Sequence, residues 1–151
     1  MALRDFIRAI TPGFLLSAYR KQKKANVRAA LEADREAGRV LTQSQLVDEI
    51  RSLGIVAGDT VLLHSSMSRI GYLEHGPDTF IDAFLEVLGP QGNLLMPSSP
   101  NPELQANYIR KNKVFDVRET PSMMGKITEV FRKRPNVMRS AHPTEPVCAF
   151  G

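Results

Sequence analysis

Val61-Leu62-Leu63-His64-Ser65-Ser66-Met67-Ser68-Arg69-Ile70-Gly71 is the stretch on which the reading of this chain turns. The pair Gly58-Asp59 introduces it as a turn, an apolar run follows, and the run breaks into a loop with three serines. A continuous apolar run between turn signals predicts a buried strand. The loop sets small hydroxyl residues and backbone N–H groups at the carboxyl end of that strand, where open α/β sheets bind ligands. Such N–H groups can cradle a phosphate, and serine hydroxyls add donors. A serine-rich loop after a strand is also common as a plain connection, so its meaning depends on the segments around it.

On the N-terminal side, Thr42-Gln43-Ser44-Gln45 has the form of a capping box. The helix it opens carries Leu46, Val47, Ile50 and Leu53 on one face and stops at Gly54. On the C-terminal side, Pro77-Asp78 starts a second helix with the stripe Phe80, Ile81, Phe84, Leu85 and Leu88, ended by Gly89-Pro90. Asn93 to Met96 follows as a short buried strand, closed by Pro97-Ser98-Ser99-Pro100. Strand, helix and strand at this spacing predict a parallel crossover. Residues 101–117 lack a clean period and are expected to run over the surface as a loop. Thr120-Pro121 predicts a helix start, with the helix running through Met124, Ile127, Val130 and Phe131 to Arg132-Lys133-Arg134. Val147 to Phe150 reads as a final strand.

A chain of 151 residues suits one domain with a real core. The composition, 42% apolar and 24% charged with no Trp, is that of a globular protein, and no apolar run reaches the length of a membrane span. Arg4, Asp5 and Arg8 interrupt the N-terminus where a secretory signal would need an apolar stretch. The lone Cys148 has no partner for an internal disulfide and is expected as a small core residue rather than a nucleophile. These features favour a reducing, cytoplasmic setting.

The net charge of +4 is uneven: residues 1–54 hold 10 Lys+Arg against 6 Asp+Glu, and residues 55–151 hold 10 of each. The basic excess therefore belongs to residues 1–41, read as a helical extension ahead of an α/β domain over residues 42–151. Within it, a short amphipathic segment, Ala2 to Ile10, precedes a break at Pro12-Gly13, and Ala25 to Arg39 reads as a helix. Phe14 and Leu15 ahead of the run Arg20-Lys21-Gln22-Lys23-Lys24 offer residues 1–24 a peripheral contact with an anionic membrane. A solvated basic arm, or a helix packing on a partner subunit, is the plainer alternative. Aromatics do not alternate with the cations, which argues against nucleic acid as a partner.

Three histidines, His64, His75 and His142, lack metal-ligand spacing, so no metal is expected. Neither a glycine-rich phosphate motif nor a nucleophile elbow occurs. On chemistry alone His142, beside Pro143 in a loop, is the best general-base candidate, with a structural loop histidine as the alternative.

Four blocks together resemble the aminoglycoside 3-N-acetyltransferase family: Gly58 to Gly71, Leu95-Met96-Pro97-Ser98, Thr120-Pro121-Ser122-Met123-Met124-Gly125 and Arg139-Ser140-Ala141-His142-Pro143. They stand in the family's order and separations from about Thr42 onward. The resemblance implies a three-layer α/β/α fold with a mixed, largely parallel sheet. It implies acetyl transfer from acetyl-CoA to the amine of an amino sugar, either an aminoglycoside or an amino-sugar precursor. Carried over by position, Ser65, Ser66, Met67, Ser68, Arg69, Ile70 and Gly71 hold coenzyme A, with Ser98 near its thioester arm. His142 matches the family's catalytic histidine, and Arg139 is placed to meet an anionic group of the cofactor. Where the family usually has a Ser three residues beyond the His-Pro pair, this chain has Pro146. The family also continues for about as long again beyond the position of Gly151, so the resemblance reaches its N-terminal half. The alternative to an enzyme is a binding module that keeps the fold without the catalysis.

Overall fold

The computed structural model describes residues 13–101, 104–111 and 114–151. The chain forms two compact units, 1–39 and 40–151. The expected amphipathic segment over 2–10 lies outside the described residues. Among the described residues of the first unit one helix, α1 (Gly13–Glu36), covers both the basic run and the Ala/Glu/Arg-rich stretch. Its residues are mostly good helix formers, so helix continues where the sequence suggested a start at Ala25.

The second unit begins with β1 (Val40–Leu41) and α2 (Gln43–Ser52). The capping box is formed as read. The Gln45 N–H donates to Thr42 Oγ1 at 3.4 Å, and the Thr42 N–H donates to Gln45 Oε1 at 2.9 Å. Then come β2 (Thr60–Leu62), the one-turn α3 (Met67–Ile70) and β3 (Tyr72–Leu73), which pairs in parallel with β1. The long α4 (Pro77–Leu88) starts with Pro77 in its first turn and passes through a short 3₁₀ turn into β4 (Asn93–Pro97). The remaining elements are α5 (Gln105–Lys111), α6 (Lys126–Phe131), β5 (Met138–Arg139) and β6 (Val147–Phe150).

The main sheet has the order β2-β4-β6-β5. β2 and β4 are parallel with Val61 opposite Leu94, as the crossover predicts. β6 runs antiparallel to β4, with Val147 opposite Pro97, and β5 runs antiparallel to β6. The result is the α/β fold with a mixed sheet that the resemblance implies. Its core joins Leu46, Val47 and Ile50 of α2 to Ile81, Ala83, Phe84, Val87 and Leu88 of α4. Leu94 and Met96 of β4, Cys148 of β6, and Ile127 and Phe131 of α6 complete it. Cys148 is fully buried, and burial pushes its thiol pKa up, as suits a core residue rather than a nucleophile.

Three expectations need correction. The opening strand is short and lies at the sheet edge rather than buried, with Leu62 59% exposed. Alternation sends Val61 and Leu63 toward the core and Leu62 outward, which an apolar run alone does not reveal. Within residues 101–117 a short helix forms, α5, because Tyr108 has a buried surface to pack on. The third helix begins at Lys126, not at Thr120. Thr120 instead closes a turn with Asp116: its N–H donates to the Asp116 carbonyl at 3.0 Å, and its hydroxyl accepts from the Asp116 N–H at 2.9 Å. A local turn competes with the helix for the same threonine oxygen.

The 120–125 segment is held by an ionic node instead. Glu129 accepts from the Ser122 N–H at 2.8 Å, from Arg132 Nε at 2.7 Å and from Lys133 at 3.0 Å. Burial alone would raise the Glu129 pKa, but the bonds from Arg132, Ser122 and Lys133 outweigh it and hold the carboxyl at about 2. A folded-state pKa below the unfolded value stabilises the fold above the ordinary carboxylate range. The contribution is lost as pH falls from about 4.5 toward 2. Glu129→Gln should lower stability by about 1.5–3 kcal/mol at neutral pH and flatten the acid limb of the urea-denaturation profile over that interval.

Gly92 turns the chain from α4 into β4 in a space that holds no side chain. A Cβ there would lie 2.6 Å from the Leu88 carbonyl oxygen and 3.0 Å from the Asp59 carbonyl oxygen. Gly92→Ala should therefore cost about 1–3 kcal/mol of unfolding free energy, read from the urea midpoint.

Candidate functional site

The sheet brings three segments to one end. β2 and β4 are parallel, so the loop after Leu62 and the loop after Pro97 leave the same edge. Val147 lies opposite Pro97, so the connection between β5 and β6, residues 140–146, lies at that end as well. Ligands of open α/β sheets bind at such strand ends.

After β2 the Leu63 N–H still donates to the Leu95 carbonyl at 2.8 Å, and the chain then departs from the sheet. Ser66 caps α3 in extended conformation, its hydroxyl 3.2 Å from that of Ser68, and the Arg69 N–H donates to the Ser66 carbonyl at 2.8 Å. Gly71 ends the turn at φ 114°, which a Cβ-bearing residue adopts only with strain. The loop borders a cleft of about 410 Å³ lined by His64, Ser65, Ser66, Arg69, Ile70 and Phe80. Its lining offers an imidazole, two hydroxyls and a guanidinium together with Ile70 and the Phe80 ring, which stands edge-on to Phe84 at 5.1 Å between centroids. That donor set suits an anionic ligand with an apolar arm.

Of the seven loop residues expected to bind, four line this cleft: Ser65, Ser66, Arg69 and Ile70. Met67 packs against the core, Ser68 is exposed, and Gly71 shapes the turn. His64 and Phe80 join the lining without having been singled out. Phe80 fitted the core stripe of its helix and so carried no functional signal, whereas His64 stood at the strand end, the position that points to it.

Ser98 is fully buried, outside the cleft lining. Its N–H donates to the Pro146 carbonyl at 2.7 Å and its carbonyl accepts from Arg139 Nη2 at 2.6 Å. Arg139 does not line that cleft either; it borders a second one with Arg118, Arg132 and Lys133. Its guanidinium also donates to the Thr120 and Val117 carbonyls and lies 4.9 Å from the centre of the Phe115 ring. Burial pulls its pKa below the ordinary arginine value.

His142 is exposed in the 140–146 loop. Its Nδ1 accepts from the Glu145 N–H at 2.9 Å and lies 3.4 Å from Thr144 Oγ1. An acceptor role at Nδ1 places the proton of the neutral ring on Nε2. Thr144 is buried; its carbonyl accepts from Ser99 Oγ at 2.7 Å and its hydroxyl accepts from Gln105 Nε2. Pro146, also buried, presents the carbonyl that Ser98 uses. The 140–146 loop is thus fastened to the loop after β4 and to α5. His142 and the cleft share a sheet end, but His142 does not line the cleft. Among the described residues no cluster of His, Cys, Asp and Glu forms a metal site.

Residues 62–151 match the aminoglycoside 3-N-acetyltransferase family model. The SPbeta prophage-derived aminoglycoside N(3')-acetyltransferase-like protein YokD of Bacillus subtilis is 33% identical over 126 residues, 73% of this chain and 46% of that protein. The crystal structure of AAC-IIIb as a binary complex with CoASH aligns at a TM-score of 0.65 and 26% identity, over 74% of this chain and 46% of that one. AAC-VIa bound to sisomicin aligns at 0.63 and 33% identity, over the same shares of the two chains. The chain spans about half the length of the relatives it matches. With its serine-loop cleft and its fastened histidine loop at one end of a mixed sheet, the chain belongs to the aminoglycoside 3-N-acetyltransferase family.

Proposed function

We propose that this chain carries the coenzyme A side of an acetyl-CoA-dependent N-acetyltransferase acting on the amine of an amino sugar. The observation that carries the reading is the cleft at the end of β2, in a family with a solved CoASH complex. Arg69, His64 and the Ser65 and Ser66 hydroxyls suit the pyrophosphate end of the cofactor, and Ile70 and Phe80 suit the pantetheine arm. Acetyl-CoA supplies the thioester. A sugar ammonium must first lose a proton; His142 Nε2 takes it once the ring's own hydrogen stands on Nδ1, and the amine attacks the thioester carbonyl. The tetrahedral intermediate collapses as the nitrogen gives up its second proton, the carbon–sulfur bond breaks, and coenzyme A leaves as the thiol once sulfur takes a proton; the remaining proton passes to solvent and leaves His142 neutral. Cys148, buried in the core, takes no part as an acyl carrier.

One observation favours a second reading, a binding module without catalysis. His142 can accept a proton at Nε2 only if its hydrogen moves to Nδ1, and Nδ1 now accepts from the Glu145 N–H. The two readings separate experimentally. Calorimetric titration of coenzyme A into wild type and into Ser66→Asp, Gly71→Val should show a loss of affinity of about tenfold or more, since an added like charge costs several kcal/mol. Equal affinities would remove the cleft from the reading. For His142→Asn, cofactor affinity should hold while acetyl transfer to sisomicin falls by roughly 10²–10⁴-fold. Wild type that binds the cofactor and shows no transfer would support the binding module.

A further inference from the structure

The first unit has a use that the acetyltransfer reading leaves unexplained. Over residues 14–29 the helix α1 separates its side chains by character. At about 100° per residue, Phe14, Ala18, Gln22, Ala25, Ala29, Leu15, Asn26 and Tyr19 fall within an arc of about 140°. That arc holds no charge. Lys21, Lys23, Lys24 and Arg28 all fall outside that arc, Lys21 and Lys23 flanking its two edges and Val27 lying among them, and no carboxylate occurs from Gly13 to Leu31. All four cations are exposed, and so are the large residues of the uncharged arc: Phe14 at 70%, Leu15 at 48% and Tyr19 at 66%.

We propose that α1 lies in the interface of an anionic lipid bilayer, with Phe14, Leu15 and Tyr19 at the acyl boundary and Lys21, Lys23, Lys24 and Arg28 against the headgroups. Segregated aromatic and cationic faces are what an interfacial helix needs, because one face must leave water while the other meets phosphate. Each cation near such a surface adds to the binding. A single-stranded nucleic acid fits less well, since it calls for aromatics among the cations rather than apart from them. A second copy of the helix also fits less well. Beyond Tyr19 the uncharged arc holds only Ala, Gln and Asn, too little apolar surface for a helix–helix seam. No described helix is long and apolar enough to cross a membrane, so the contact is peripheral.

The chain has no Trp, so Tyr19→Trp introduces one reporter at the centre of the question. The full chain should co-sediment with vesicles containing about 30 mol% phosphatidylserine and not with pure phosphatidylcholine, and high salt should release it. The indole emission should shift to the blue only with the anionic vesicles. Lys21→Glu, Lys24→Glu should weaken partitioning roughly tenfold or more, and Phe14→Ser, Leu15→Ser should weaken it with every charge intact. Circular dichroism of each variant confirms that the helices persist. Three results would each overturn the assignment: no binding to anionic vesicles, equal binding to neutral ones, or binding of single-stranded oligonucleotides in place of vesicles. An indole already blue-shifted without lipid, in a protein that elutes as a dimer, would give the face to a second copy instead.

Discussion

A half-buried guanidinium ties together the loops at one end of the sheet. Arg139 leaves β5 and donates to the carbonyls of Ser98, Val117 and Thr120, its plane resting near the Phe115 ring. Its recorded bonds all go to backbone oxygens rather than to a carboxylate. Partial negative charge spread over several carbonyls therefore stands where a counter-ion would, while desolvation still pulls its pKa down. Arginine suits this position because its planar fork can reach several acceptors in fixed directions, which a lysine ammonium does not do.

From that tie the rest follows. The Ser98 carbonyl it grips belongs to the residue whose N–H binds Pro146, and Ser99, the next residue, reaches the Thr144 carbonyl and accepts from the Met123 N–H at 2.8 Å. The 97–100, 120–125 and 140–146 segments thus form one hydrogen-bonded body over the ends of β4 and β6. The β2 loop is built differently. Its shape comes from one helical turn and a positive-φ glycine, with few side-chain bonds to hold it. The 140–146 loop is thus fastened by side-chain bonds to its neighbours, whereas the β2 loop takes its shape chiefly from its own backbone.

Much of this was legible in the residues, and what was not has specific causes. The capping box at Thr42, the start at Pro77, the β2–β4 crossover and the core role of Cys148 rest on local chemistry, and local chemistry is in the sequence. The true helix start at Lys126 was hidden because Thr120-Pro121 satisfies the rules for a cap while Asp116 competes for the same oxygen. Arg139 read as a ligand for the cofactor because an arginine beside a histidine in a motif invites that reading. Only the fold shows carbonyls converging on it. The exposure of Leu62 depends on strand order, which no spacing within β2 encodes. Phe80 serves both core and cleft, and a helical stripe does not distinguish the two.

The same packing that orders the 140–146 loop sets the chemical state of its histidine. Glu145 presents its N–H to Nδ1 because the turn over Pro143 and Thr144 brings it there, and the buried Thr144 fixes the turn through Ser99 and Gln105. A neutral ring so held carries its hydrogen on Nε2 and presents a donor there rather than a base. To work as a base the ring must exchange that bond for one in which Nδ1 donates. Among the recorded neighbours of Nδ1 the only oxygen is Thr144 Oγ1, at 3.4 Å. It is anchored by Gln105 and retains acceptor capacity, since a hydroxyl oxygen has two lone pairs. Exchanging the Glu145 bond for the Thr144 one needs both a turn of the ring and transfer of its hydrogen from Nε2 to Nδ1, so these two neighbours in its own loop bias the tautomer of His142.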